Sequence, residues 1–285
     1  MDNAHRASAI VQIVFYAPMV PIMLYVGIRA WKYGPRRAWF PAMVFACVRL
    51  VGGALDLASK NDPKNNSLIT ATIILLNLGL VPLIMPFTPS PASCKPNLEA
   101  SFPESKSKKR FIDVNRLLLL AAVALLSTAG GFTGDPEMAN TQSILSKVAY
   151  FEFVVVLLAL IAMAAWLNFW RRDRIQDGQI IYIQWLLIAS PFLCIRAVFG
   201  VISVFEAAGA NILTSVWSPM FGSALLFSLM ALLPEYIVLC VFVYLGIHRV
   251  STADRYGLVA QRGFFKRTGD TKPRADQSRS SMDMA

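Results

Sequence analysis

Long apolar runs dominate the pattern of hydrophobic and polar positions along the chain, and short polar segments separate them. Apolar runs of roughly 18 residues or more are candidates for transmembrane helices, because unsatisfied backbone polar groups cannot face lipid. The pattern therefore predicts an all-α membrane protein whose seven transmembrane helices lie at about residues 9–30, 39–58, 67–87, 117–133, 144–170, 180–205 and 220–247.

The predicted membrane domain, residues 9–247, leaves three polar segments outside it. Residues 1–8 are the predicted outer N-terminus. Residues 88–115 are rich in proline, serine and mixed charge, which predicts a cytosolic linker, and residues 248–285 predict a basic, disordered cytosolic tail.

Composition agrees with this pattern, and charge predicts its orientation. Of the 285 residues, 56% are hydrophobic and 15% charged, against about 25% charged in a soluble domain. With the N-terminus outside, 21 of the 27 Lys and Arg residues fall on inner segments and four on outer ones. The positive-inside rule therefore favours an N-out, C-in topology. The net charge of +10 then needs no nucleic acid to explain it.

The sequence contains few of the motifs that mark known catalytic, nucleotide-binding or metal sites. The only histidines, His5 and His248, fall on opposite predicted sides of the membrane. There is no Gly-x-Ser-x-Gly, no phosphate-binding glycine loop and no Cys-x-x-Cys, which weighs against hydrolases, nucleotide enzymes and metalloenzymes. We expect no catalytic residue, metal or cofactor. The expected partners are the lipid bilayer and an unknown small-molecule ligand, in a multi-pass protein of the plasma membrane or an endomembrane.

An arginine in the middle of an apolar run is the strongest candidate for chemistry. Arg49 stands in "CVRLVGG", residues 47–53, about ten residues from either end of the second helix. A central arginine costs about 2.5–3.5 kcal/mol even on lenient insertion scales. Arg49 should therefore face the helix bundle or a wet cavity.

A similar stretch recurs in the sixth helix as "CIRAVFG", residues 194–200, which places Arg196 like Arg49. If the match is a genuine duplication, helices one to three correspond to helices five to seven in a 3+1+3 parallel repeat, a layout found among transporters. In each copy, glycines share a face with the arginine: Gly52 and Gly53 in the first, Gly200 in the second. Such small residues let another helix approach closely.

Acidic partners for the arginines are available: Glu235 lies near the middle of the seventh helix and Glu152 in the fifth, and Asp56 and Glu206 lie near the outer ends of the second and sixth. Two interpretations remain open. In the first, Arg49 and Arg196 pair with Glu152 and Glu235 to hold the helices together. In the second, the same residues line a polar cavity that binds an anionic group or relays protons.

The opening "AIVQIVFYAPMVP", residues 9–21, together with "CVRLVGG" and the seven-helix plan, resembles a fungal family of integral membrane proteins. That family has no established biochemical role, so the resemblance implies a seven-helix membrane protein and no activity. In helix count and size the chain is also similar to fungal lipid-translocating exporter-like proteins.

Transport or efflux of a small amphipathic or anionic molecule is the leading functional hypothesis. A seven-helix receptor is the alternative, since the topology suits one, although no outer loop carries a cysteine for a disulfide. The second alternative is an intramembrane acid–base enzyme such as a terpene cyclase, with Glu152 or Glu235 as proton donor. The motifs around these residues do not resemble those of such cyclases, which leans against an enzyme.

Overall fold

A computed structural model describes residues 2–33, 40–61, 65–78, 80–84, 106–132, 137–170, 177–206, 215–218, 220 and 222–255. Across these ranges the regular structure is helical and contains no strand. The predicted linker up to residue 105 and the tail after residue 255 lie outside the described residues.

The helices follow the chain from end to end of the described part. They are α1 (Asp2–Tyr33), α2 (Phe40–Asn61), α3 (Asn66–Leu78), α4 (Leu80–Ile84), α5 (Lys106–Gly131), α6 (Ala139–Trp170), α7 (Asp177–Glu206), α8 (Ala224–Phe227) and α9 (Leu233–Arg255), with a π-helical turn at Ser228–Leu232 between the last two.

Several helices extend beyond the predicted apolar runs. α1 begins at Asp2 instead of residue 9, and α5 begins at Lys106, inside the predicted linker. At the other end of the chain, α9 continues to Arg255, past residue 247 and into the predicted tail. Apolarity marks where a helix meets lipid, whereas helical hydrogen bonding continues through good polar helix formers such as lysine and arginine.

Within the described ranges, six helices are long and apolar enough to cross a membrane, which identifies a multi-pass membrane protein. The third predicted span is the exception. Its residues form α3, of 13 residues, and the five-residue α4. At 1.5 Å per residue, α3 alone is only about 20 Å long, against a hydrocarbon core of about 30 Å.

The helices form a closed ring in chain order. α1 packs against α2, α2 against α3, α3 against α5, and α5, α6 and α7 follow in turn; α9 packs on both α7 and α1 and closes the ring. Large apolar side chains remain exposed on the outside, among them Val14, Leu117, Phe151, Phe169 and Leu225. In a membrane this surface meets lipid, and the interior holds the core.

Proline residues interrupt the backbone hydrogen bonds in several helices, including α1 with Pro18 and Pro21, and two of the interruptions are compensated locally. Pro191 in α7 has no N–H for the Leu187 carbonyl, which instead accepts a hydrogen bond of 2.8 Å from the Ser190 hydroxyl. Ahead of Pro234 the helix widens into the π-helical turn, in which the Leu233 N–H donates to the Ser228 carbonyl. Such π-helical turns are frequent at functional sites.

Candidate functional site

Three charged side chains meet inside the ring. Arg49 of α2 donates through Nη2, and Arg196 of α7 donates through Nε at 2.5 Å, to the same carboxylate oxygen, Oε1 of Glu235 in α9. Relative exposure is 1% for Arg49, 2% for Arg196 and 0% for Glu235. We call these three residues the arginine–glutamate cluster.

The three residues of the cluster lie at a similar depth in the membrane domain. The depth of each is counted from the side on which α2 and α7 end and α8 begins. Arg49 stands before the end of α2 at Asn61, Arg196 before the end of α7 at Glu206, and Glu235 after the start of α8. At 1.5 Å per residue, each lies about 15–18 Å from that side. This is close to the middle of a hydrocarbon core of about 30 Å.

Glycines let the neighbouring helices reach both arginines. Gly53 faces α1, where a Cβ would lie 3.3 Å from Cγ of Gln12; the Gln12 amide donates to the Arg49 carbonyl at 2.7 Å. Gly200 faces α6, where a Cβ would overlap the ring of Tyr150. Gly52 is looser, with its nearest neighbours at 3.7 Å and beyond.

Tyr150 uses the space at Gly200 to reach the second arginine. Its hydroxyl interacts with the Arg196 guanidinium. The two copies of the motif thus share an arrangement. The last glycine of each leaves room for a polar side chain from the preceding helix, and that side chain contacts the arginine, at its backbone carbonyl in the first copy and at its guanidinium in the second. Gln12 has this place in the first copy and Tyr150 in the second.

Aromatic rings surround the cluster. The Arg49 guanidinium lies over the Phe45 ring at 5.7 Å, and that of Arg196 lies over the Phe199 ring at 5.9 Å. Tyr16 of α1 packs edge-on against Phe45 at 5.9 Å and against Tyr236 at 5.8 Å. The cluster therefore sits in an apolar, low-dielectric shell, where charges interact strongly.

The cluster is incompletely paired within the part of the chain that the structure describes. Nε and Nη1 of Arg49, Nη1 of Arg196, Oε2 of Glu235 and the Tyr16 hydroxyl are buried without a hydrogen-bond partner. Two guanidiniums against one carboxylate also leave one excess positive charge. Burial of an uncompensated charge or an unmet donor is costly, so this arrangement favours an additional polar or negatively charged group.

Two predicted site residues lie elsewhere. Asp56 accepts a hydrogen bond from Lys60, one turn further along α2, at 2.8 Å. Glu152 makes no described contact with the cluster, and its Oε2 is buried without a partner among the described residues. Because successive residues of a helix are about 100° apart, Glu152 points away from the α6 face that carries Tyr150 and Phe153.

Sequence reasoning did not single out Gln12, Tyr16 or Tyr150. Gln12 carries a weak signal, since an amide inside an apolar run is expensive to bury without a partner. The tyrosines carry none, because a tyrosine in a membrane helix is as compatible with packing as with a site. A metal site has no comparable support, since the described residues contain no group of three His, Cys, Asp or Glu side chains that could hold an ion.

Comparison with known proteins identifies a family to which no function is assigned. The family described as "Domain of unknown function (DUF7702)" matches residues 3–251, which include the whole cluster and all but the outermost residues of the helical ring. No curated protein matches the chain, and no solved structure matches it.

Proposed function

The chain belongs to the DUF7702 family, and from this premise we propose that it is a membrane transporter for a small anionic molecule, which binds at the arginine–glutamate cluster. The observation that carries the proposal is the pairing of two buried guanidiniums with one carboxylate oxygen. The excess positive charge and the unpartnered N–H groups are the features with which a protein recognises an anion.

The position of the arginine–glutamate cluster supports a role in transport over a role in helix packing alone. An intramembrane ionisable residue is costly, and transporters place substrate sites near the bilayer midplane. A packing role needs only one acid for one base, whereas here Arg196 and Arg49 compete for the same oxygen of Glu235. A bound anion would satisfy the second guanidinium.

The proposed transport cycle depends on the competition of Arg49 and Arg196 for one oxygen of Glu235. An arriving anion takes hydrogen bonds from the guanidinium edges that Glu235 leaves open, and this weakens one of the two ion pairs. Since α2 carries Arg49 and α7 carries Arg196, the loss of either pair frees one helix to shift against α9. We propose that this shift changes the side from which the cluster is accessible.

Metabolite distribution tests the proposal. We expect an anionic compound to shift across the membrane in cells that express the protein, relative to cells that lack it, and to stop shifting in the Arg49→Gln, Arg196→Gln double variant. Lys60→Gln is the matched control, because it removes a cation from α2 near the membrane surface, and it should transport normally. Unchanged distributions, with the folded protein present, would contradict transport and favour a receptor or scaffold.

We further propose that α3 and α4 together make a seventh crossing in an N-out, C-in protein of a fungal family. With 13 and five residues, α3 and α4 would together span about 27 Å at helical rise, close to the thickness of the hydrocarbon core.

Cysteine labelling tests this crossing. In a variant whose Cys47, Cys194 and Cys240 are replaced by alanine, we expect an impermeant maleimide to label native Cys94 only after the cells are permeabilised. Adding Asn65→Cys at the exposed start of α3 should give labelling of intact cells. Equal accessibility of positions 65 and 94 would rule out the seventh crossing.

A further inference from the structure

The buried N–H and O–H groups of the cluster that have no hydrogen-bond partner, here called the open donors, restrict the kinds of anion that could bind there. This inference rests on the proposed function. The cluster carries one excess positive charge, so one negative charge on the ligand neutralises it. A second negative charge would meet no further cation among the described residues that contact the cluster, and it would face the unpartnered Oε2 of Glu235.

The open donors belong to three side chains. Arg49 offers Nε and Nη1, Arg196 offers Nη1, and Tyr16 offers its hydroxyl, all buried and without a partner in the described residues. The Tyr16 hydroxyl lies within electrostatic range of both arginines and of Glu235. A carboxylate has two oxygens and about four acceptor positions, which suits donors from two guanidiniums and one phenol.

The surroundings of these donors are apolar. Phe45 and Phe199 lie against the two guanidiniums, and Tyr236 packs on Tyr16. A ligand rich in hydroxyl groups, such as a sugar, would bury donors without acceptors there, at the cost of unmet hydrogen bonds. An apolar body would face aromatic rings instead.

We propose that the ligand is an apolar monocarboxylate, whose carboxylate is held by Arg49, Arg196 and the hydroxyl of Tyr16. In this assignment Tyr16 is a specificity residue: its hydroxyl supplies a hydrogen bond to the ligand that it makes to no described residue of the protein.

A ligand panel on the purified full-length chain in phosphatidylcholine nanodiscs tests the assignment. The probes are benzoate and hexanoate as monocarboxylates, phthalate as a dicarboxylate and benzyl alcohol as the uncharged analogue, all at equal ionic strength. We expect at least one monocarboxylate to raise the melting temperature and to bind at least about ten-fold more tightly than phthalate or benzyl alcohol.

The Tyr16→Phe variant separates a ligand contact from a structural role. Loss of one hydrogen bond to a charged group should weaken monocarboxylate binding about ten-fold or more. The melting temperature without ligand should not fall, since the hydroxyl has no partner to lose. Tyr25→Phe, at an exposed position on the same helix, is the control and should bind like the wild type.

The outcomes distinguish the two proposals. If phthalate binds as tightly as the monocarboxylates and Arg49→Gln abolishes that binding, the anion site stands and the monocarboxylate assignment fails. Unchanged monocarboxylate binding in Tyr16→Phe also overturns the role of Tyr16. If no anion binds to the folded wild-type protein, both proposals fail.

Discussion

Replacing Glu235 with leucine should lower the free energy of unfolding by about 3–5 kcal/mol, the usual cost of removing one partner from a buried ion pair. The variant leaves Arg49 and Arg196 buried, adjacent and without their shared acceptor. Two like charges at that distance in an apolar shell repel each other, and neither can reach water from the middle of the ring. Unfolding in mixed micelles of SDS and a mild detergent would measure the loss.

A triple variant is the control for this experiment. Arg49→Met, Arg196→Met and Glu235→Leu together remove every charge of the cluster while keeping much of its volume. Replacing a whole buried ion cluster with apolar residues is often neutral or stabilising, so the triple variant should recover most of the lost stability. It should still fail to transport. If Glu235→Leu alone were as stable as the wild type, another group would have to neutralise the arginines.

Replacing Gly200 with alanine should cost about 1–3 kcal/mol, the range for overpacking a well-packed interior. The added Cβ would overlap the Tyr150 ring and would lie 3.2 Å from Nη1 of Arg196. Tyr150 is 1% exposed, so its ring cannot swing into open space. Relief requires α6 and α7 to separate, which also weakens the contact between Tyr150 and Arg196.

Two other glycines provide a graded comparison in the same unfolding assay. Gly53→Ala should cost less, because its Cβ would approach Ile13 and Gln12 at 3.2–3.3 Å, where a small adjustment suffices. Gly27→Ala should be neutral or slightly stabilising, since nothing lies within 4 Å and alanine is the better helix former. Equal stability of all three variants would mean that Tyr150 does not occupy the space at Gly200.

The sequence was most informative about Arg49 and Arg196. Each lies deep in an apolar run, where burial away from lipid is the only inexpensive solution, and both side chains are buried inside the ring. The sequence could not assign their partner. Glu152 and Glu235 both occupy apolar runs, and only Glu235 turns its carboxylate towards the arginines.

By itself the sequence determined the all-helical, membrane-embedded character of the chain, the approximate positions of the six long apolar helices and the helices that carry buried charge. These follow from the high cost of polar groups in lipid, which acts on each segment separately. Only the tertiary structure decided that one carboxylate serves two arginines, and that Gln12 and Tyr150 reach them across Gly53 and Gly200. The physical reason is that an apolar helix can rotate about its own axis and still present apolar side chains to lipid. Packing within the closed ring selects one of these rotations.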